Sequence, residues 1–351
     1  MTVETRQIAH GYSISRIIRG GWQLAGGHGE IDRERAVDDL IAAFDAGITT
    51  LDCADIYTGV EELYGAMRER MVATRGAEAG RRLHVHTKLV PDLDRLATLR
   101  KSEIEAIVDR SLSRLKMERL DVVQFHWWDY DQPGWLEAIG WLNDLRCKGK
   151  VRLVSGTNFD AAHVREILDA GIPLSTMQVQ YSVLDRRPEH GLSELCRAHG
   201  VALLCYGAVA GGFLSDRWLG VGEPGAALAN RSLTKYKLII EDFGGWDLFQ
   251  ELLGALRRVA NRHDSDIASV ATRLTLDYPG VAAVIIGATS RAHLAHNVAA
   301  AALRLTDEDK AEVERIASQR RGPLGDVYEL ERDRDGRHGS IMKYNLNTER
   351  H

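Results

Sequence analysis

The sequence predicts one (β/α)8 barrel of the TIM type, and three observations carry that expectation. Eight short runs rich in β-branched residues lie between Ile17 and Ile286, and each is followed by a stretch with helical periodicity. Such alternation builds a parallel sheet, and eight units in a row favour a closed barrel over an open, doubly wound sheet. No G-x-G-x-x-G follows the first strand, which weighs against a Rossmann fold. No shift in composition divides the chain. All 351 residues are therefore expected in one domain, with a core of about 11–318 and an extension over 319–351.

In chain order, residues 17–22 (IIRGGW) form the first strand, whose terminal glycines allow close approach to the backbone. Asp32 caps a helix whose apolar face is Ala36, Val37, Leu40, Ile41 and Phe44. Gly47 ends it, and the run 48–51 is the second strand, closing on Asp52. A helix over 61–72 and a Gly-rich turn lead to the third strand, 83–88, which ends in Lys88. The helix bearing Ile104, Ile107, Val108, Leu112 and Leu115 precedes the fourth strand, 120–126, which ends in His126. A helix with Leu136, Ile139, Leu142 and Leu145 stops near Gly149, and the fifth strand, 151–155, runs into Gly156-Thr157-Asn158. Val164, Ile167 and Leu168 mark the next helix, before the sixth strand at 176–180. A helix around 192–196 precedes the seventh strand, 201–206. The Gly- and Ala-rich stretch 207–230 is then the longest expected loop. Two helical patterns follow, one on Leu248, Leu252, Leu256 and Val259, the other on Ile267, Val270, Ala271 and Leu274. The eighth strand, 281–286, and an Ala-rich helix with Leu294 and Val298 close the series, and ELERDRD at 329–335 marks a charged tail.

Composition narrows the function. Apolar residues make up 44% of the chain, and 45 basic against 50 acidic residues leave a net charge of −5. That balance argues against a protein built to bind nucleic acid. Cys53, Cys147, Cys196 and Cys205 are scattered, without a C-x-x-C pair or metal-ligand spacing, as suits reduced thiols. The N-terminus carries no basic-then-apolar signal pattern, and no apolar run nears the roughly 18 residues of a membrane span. A cytoplasmic protein with a small-molecule substrate is expected, with neither a nucleic-acid nor a membrane partner; oligomeric state has no signal.

Parallel barrels place their chemistry where strands run into loops at their C-terminal ends. Four polar side chains collect there: Asp52 and Tyr57 at and beyond the second strand, Lys88 on the third, His126 on the fourth. A phenol with its ordinary pKa of about 10 is a poor acid at neutral pH, and an adjacent ammonium favours the phenolate. Asp52 is expected to anchor Lys88 and keep it charged, with His126 hydrogen-bonding a carbonyl oxygen beside the phenol. Such a set suits proton donation to a carbonyl that receives a hydride. None is a good covalent nucleophile, and one histidine with one carboxylate makes a thin metal site, so no metal is expected. Singly, each has an ordinary reading: a turn aspartate, a packed tyrosine, an exposed lysine, a satisfied histidine. Their arrival at three successive strand ends sets them apart.

Here the sequence resembles the aldo-keto reductases. The family's D-x-A-x-x-Y segment is matched by Asp52-Cys53-Ala54-Asp55-Ile56-Tyr57, its strand-end lysine by His86-Thr87-Lys88, and its D-x-x-Q-x-H strand by Asp121-Val122-Val123-Gln124-Phe125-His126. The resemblance spans about residues 11–318 and implies a (β/α)8 barrel, an Asp52–Tyr57–Lys88–His126 tetrad and a nicotinamide cofactor. NADP(H) is the expected cofactor, with NAD(H) as the alternative. Thr157 and Asn158, in a segment similar to the family's G-x-S-N-F, are implied at the nicotinamide carboxamide, with Gln178 assisting. Tyr206 is implied as the aromatic on which the nicotinamide stacks. Gly21, Trp22 and Gly207 are also expected to bind the cofactor.

The phosphate end departs from the family pattern. His293 stands where Arg or Gln is usual, and His296 where Glu is usual, while Asn297 is retained for adenine. Gly287, Thr289 and the following helix N-terminus are expected to hold an anion, with Arg291 reaching a 2′-phosphate. Trp22, Trp127 and Trp128 are expected to wall an aromatic substrate pocket. The loop 207–230 and the segment 243–246 are expected to cover the cofactor. The function implied is NAD(P)(H)-dependent interconversion of an aldehyde or ketone with its alcohol, hydride coming from nicotinamide C4 and the proton from Tyr57. The alternatives are an NAD-dependent alcohol or sugar dehydrogenase working oxidatively, and a cofactor-binding regulatory subunit, like the channel β-subunits, with little turnover.

Overall fold

A computed structural model describes residues 3–26, 29, 31–225, 228–288 and 290–347. The chain opens with an antiparallel hairpin, β1 (Thr5–Ala9) and β2 (Tyr12–Ser15), that the sequence pattern leaves unannounced. Eight parallel strands follow: β3 (Ile17–Gly20), β4 (Thr50–Asp52), β5 (His84–Leu89), β6 (Leu120–Phe125), β7 (Val151–Thr157), β8 (Thr176–Gln180), β9 (Ala202–Tyr206) and β10 (Val281–Gly287). They close in the order β10-β3-β4-β5-β6-β7-β8-β9, so the barrel leaves no sheet edge for a neighbour to pair with. The expected eight-stranded barrel is what the chain forms.

The helices between strands are α1 (Arg33–Asp45), α2 (Val60–Arg75), α3 (Ala77–Arg82), α4 (Lys101–Leu115), α5 (Trp135–Cys147), α6 (Ala161–Asp169) and α7 (Leu192–Ala198). Asp32 caps α1 as expected, its carboxylate accepting from the Arg35 N–H. The expected Gly-rich turn before β5 is instead mostly the short helix α3. After β9 come α8 (Arg231–Phe243), α9 (Trp246–Arg262) and α10 (Ile267–Asp277), and after β10 come α11 (Leu294–Ala302), α12 (Asp307–Ala317) and α13 (Glu329–Arg332). Helix α8 was not anticipated, although its signature is in the sequence: Asn230 as cap, then Tyr236, Ile239, Ile240 and Phe243 on one buried face. Helices α8, α9, α10 and α12 enclose a second apolar cluster beside the barrel, around Phe213, Phe249, Leu252 and Leu256. No described helix is long and apolar enough to cross a membrane.

The hairpin plugs the N-terminal end of the barrel. Tyr12 and Ile14 are buried against Ile18, Val122 and Leu204, and the Tyr12 hydroxyl meets His86 Nε2 at 3.3 Å. That leaves the opposite end open to build a site. The tail crosses that open end. The Leu93 N–H donates to the Tyr344 carbonyl at 3.0 Å, and the Asn347 amide donates to the Val90 carbonyl at 3.1 Å. Glu331 meets Arg187 in a fully buried ion pair at 2.8 Å, and Arg187 also holds Asp185 at 2.7 Å. Breaking such a pair costs several kcal/mol because the surviving charge stays buried, so the charged tail is locked in place rather than solvated.

Candidate active site

A cavity of about 870 Å³ opens at the C-terminal ends of the strands and runs from β4–β6 to α11. Its size is that of a cofactor site rather than a water pocket. Asp52, Tyr57, Lys88 and His126 all line one end of it. Register explains the convergence: Asp52 pairs with His86, and Lys88, two residues on and on the same face, pairs with Gln124.

The Lys88 ammonium donates to Asp52 Oδ2 at 2.7 Å and to the Cys53 carbonyl at 2.9 Å, and it lies 5.2 Å from the centre of the Tyr57 ring. The other carboxylate oxygen, Asp52 Oδ1, accepts from Gln178 at 2.7 Å and Gln124 at 2.9 Å. Both oxygens are thus filled by donors, which is how a buried charge is kept affordable. Burial alone would lower Lys88, but the Asp52 carboxylate beside it leads the opposing effects, and Lys88 stays above its ordinary range. Tyr57 moves opposite to expectation. Desolvation raises it above 10 and outweighs the lowering by Lys88, so the ground state is a firm phenol.

His126 also departs from expectation. Its Nδ1 is 3.2 Å from the Thr157 carbonyl oxygen, which has no hydrogen to give, so Nδ1 carries the proton. Burial first, then the Arg332 guanidinium, push it down to about 3, so the ring is neutral. The Nε2 atom, buried and without a protein partner, therefore presents a lone pair. It accepts a hydrogen bond; it does not donate one to a carbonyl oxygen.

On the neighbouring strands Thr157, Asn158, Gln178 and Tyr206 line the cavity together, as expected. Asn158 adopts a left-handed backbone, φ +63°, and its side-chain oxygen accepts from the Tyr206 hydroxyl at 2.9 Å. That leaves the Asn158 NH2 to donate elsewhere. Gln178 uses its amide hydrogens on Asp52 and on Gln124 Oε1 at 2.8 Å, so only its oxygen can serve a ligand. A carboxamide, with one acceptor and one NH2 group, matches a donor and an acceptor placed this way. Gly207 (φ +83°) lines the wall where a Cβ would meet the Tyr236 hydroxyl at 2.7 Å.

Other expectations are corrected. Gly21 is not on the cavity: its N–H bonds the Asp52 carbonyl at 2.8 Å, and a Cβ there would meet Val60 at 2.6 Å, so helix packing requires this glycine. Gly20 and Trp22 are the residues of that turn that line the cavity. Trp127 is fully buried away from it, donating to the Gln132 carbonyl at 3.1 Å. His126 and Trp128 line the cavity and Trp127 does not. Trp128 lines the cavity and meets His126 edge-on at 4.3 Å, and Trp22 meets Tyr57 at 5.1 Å.

At the far end Gly287, His293, His296 and Asn297 line the cavity, whereas Arg291 does not. The Arg291 guanidinium is paired at 2.8 Å with Asp39, a buried carboxylate on α1, and so is not aimed at a 2′-phosphate. Thr289 lies outside the described residues. The carboxylate of Asp266, which also lines this end, sits 3.7 Å from His296. Residues of the 207–230 loop, among them Val209, Leu214 and Arg217, flank the cavity, but Phe243 and Trp246 belong to the second apolar cluster and do not. Among the described residues no group of histidine, cysteine or acidic side chains could hold a metal.

Two sets of residues at the site were not anticipated. Gln124, two residues before His126 in the D-x-x-Q-x-H strand, is fully buried and supports the site from behind by donating to Asp52. Tyr328, Ile341, Met342 and Leu346 reach the cavity from the tail, and Lys235 from α8. Nothing local in their sequence marks them.

A barrel that carries a phenol, an ammonium and a neutral imidazole at one end of a dinucleotide-sized cavity is that of a nicotinamide-dependent oxidoreductase. Comparison with known proteins gives the family: the chain belongs to the Aldo/keto reductase family, whose model matches residues 16–318. It is 28% identical over 312 residues to the NADH-specific methylglyoxal reductase of Escherichia coli, an alignment covering 85% of this chain and 93% of that protein. It is 26% identical to the aldo-keto reductase YhdN of Bacillus subtilis, covering 87% and 91%. In fold it resembles the glycerol dehydrogenase of Gluconobacter oxydans, with a TM-score of 0.76 and 24% identity over 93% of this chain and 98% of that one. The Bombyx mori aldo-keto reductase in complex with NADP gives 0.70 and 18%, over 94% and 97%.

Proposed function

We propose that this protein reduces the carbonyl group of a small aldehyde or ketone to the alcohol, with Tyr57 as proton donor. The observation that carries the reading is the chain of contacts Gln124 and Gln178 to Asp52, Asp52 to Lys88, and Lys88 against the face of Tyr57. When bound, a nicotinamide cofactor supplies the hydride. The protein's own residues do the rest. Tyr57 stays protonated at neutral pH and so has a hydrogen to give; Lys88 stabilises the phenolate that remains. Asp52 keeps Lys88 charged and aimed. His126, through Nε2, accepts from a hydroxyl on the ligand. Trp22, Trp128 and Tyr328 wall the reacting carbon from water.

Thr157, Asn158, Gln178 and the Tyr206 ring are proposed to hold the nicotinamide, and Asn297 the adenine. The pairing of Arg291 with Asp39 and the carboxylate of Asp266 at the far end both argue against strong selection for a 2′-phosphate, so NAD(H) is proposed to bind at least as well as NADP(H). The relatives differ on this point, one being named NADH-specific and another holding NADP. Methylglyoxal, which the Escherichia coli relative is named for, is the first carbonyl to try, and the four free thiols support a reducing, cytoplasmic location.

The test is a panel of small aldehydes and ketones with NADH and NADPH, followed by cofactor absorbance. Turnover of at least one carbonyl that disappears in Tyr57→Phe is expected. Near-normal turnover in that variant would remove Tyr57 from the role.

A further inference from the structure

Arg332, on the tail helix α13, helps keep His126 neutral, and it also touches the two loops that carry the chemistry. One guanidinium nitrogen donates to the Asn158 carbonyl at 2.9 Å and to the Trp127 carbonyl at 3.2 Å. These carbonyls sit one residue beyond Thr157 and His126, which are themselves joined at 3.2 Å. The guanidinium carbon lies 4.0 Å from the centre of the Tyr130 ring and 5.3 Å from that of Tyr328. A planar, forked cation stacked between rings suits this place; a lysine offers one point of charge and no plane.

The grip falls on a backbone that needs holding. Asparagine adopts a left-handed conformation such as that of Asn158 more readily than other non-glycine residues, yet it still needs surroundings that favour it. Three contacts do so here: the Asn158 N–H to the Gln178 carbonyl at 2.9 Å, the Tyr206 hydroxyl to its side chain at 2.9 Å, and Arg332. Two come from neighbouring strands. Only Arg332 comes from the tail.

We propose that Arg332 is a positioning residue for nicotinamide binding: it fixes the Asn158 backbone so that the side-chain NH2 faces the cavity, and so ties docking of the tail to affinity for the cofactor. This rests on the reading of Asn158 as a carboxamide donor. The tail has independent anchors in the Arg187–Glu331 pair, in the Tyr344 carbonyl that accepts from the Leu93 N–H and in the Asn347 amide that donates to the Val90 carbonyl, so losing the Arg332 side chain leaves it docked.

The experiment titrates wild type, Arg332→Ala, Arg332→Lys and Asn158→Ala with NADH and NADPH, without substrate, by quenching of tryptophan fluorescence. Hydrogen bonds from a charged donor are at stake, so Arg332→Ala is expected to bind cofactor about tenfold or more weakly, and Arg332→Lys to recover only part of the loss. Low millimolar guanidinium is expected to restore Arg332→Ala towards wild type and to leave Asn158→Ala unchanged. At saturating cofactor kcat should change less than the cofactor KM. Wild-type affinity in Arg332→Ala, or a loss that guanidinium does not restore, overturns the proposal. Wild-type affinity in Asn158→Ala instead overturns the reading of Asn158 on which it stands.

Discussion

His126 donates its Nδ1 hydrogen to the Thr157 carbonyl across 3.2 Å, which leaves a bare, buried Nε2 on a residue that lines the cavity. A histidine so held distinguishes a ligand that carries a hydroxyl from one that carries a carbonyl. An alcohol can donate to Nε2, whereas a carbonyl oxygen must take its hydrogen bond from Tyr57. In His126→Ala the KM for the alcohol should rise about tenfold, the worth of one such bond, with a smaller change for the carbonyl. Steady-state kinetics in both directions decide it. Equal losses in the two directions would mean that Nε2 carries the proton.

Proton transfer sets the pH dependence. Burial raises Tyr57 above 10 despite Lys88, so the phenol is intact through neutral pH and mildly alkaline pH. Reduction needs the phenol and should hold level up to that range before falling. Oxidation of the alcohol needs the phenolate and should still be rising there. A plateau in the oxidative kcat/KM profile below pH 9, on a scale where an unperturbed phenol titrates at about 10, would contradict this.

The carboxylate of Asp52 is matched to three donors, one ammonium and two amides. Asn in its place must turn an NH2 either towards Lys88 or towards the two glutamines, so donor faces donor in both orientations. It also leaves the buried Lys88 charge without its partner. Asp52→Asn is expected to cost about 3–5 kcal/mol, read from urea unfolding with cofactor absent. A loss below 1 kcal/mol, the level of an exposed pair, would show that the ammonium finds another counter-charge.

Two adjacent tryptophans should separate stability from binding. Trp127 is wholly buried, and Trp127→Ala is expected to lose about 3–5 kcal/mol of stability. Trp128 lines the cavity and meets Tyr344 of the tail at 5.1 Å. Trp128→Phe keeps an aromatic wall but loses the N–H bond to the Pro91 carbonyl, and should raise the carbonyl KM while losing only about 1–3 kcal/mol of stability. Thermal melts and initial rates on the same preparations test both. A matched loss of stability in the two variants would contradict the placing of Trp128 on the cavity and Trp127 off it.

The barrel and the four residues at its mouth are legible in the chain because each is marked locally. A β-branched run followed by a 3.6-residue pattern is a strand and its helix, and Asp52, Lys88 and His126 each close such a run. The spacing of Tyr236, Ile239, Ile240 and Phe243 already marks α8. The local sequence does not reach pairings between distant segments. Arg291 looks like a phosphate ligand until Asp39, 252 residues away, claims it. Gly21 looks like a cofactor glycine until Val60 and Tyr64 close on it. Tyr328, Arg332 and Met342 lie in a charged tail with no local mark of a site until Arg187 buries Glu331 beside them. Local patterns specify where a side chain stands on its own element. Which charge it meets, and whether it faces the cavity, depends on contacts that form only when the barrel closes and the tail docks.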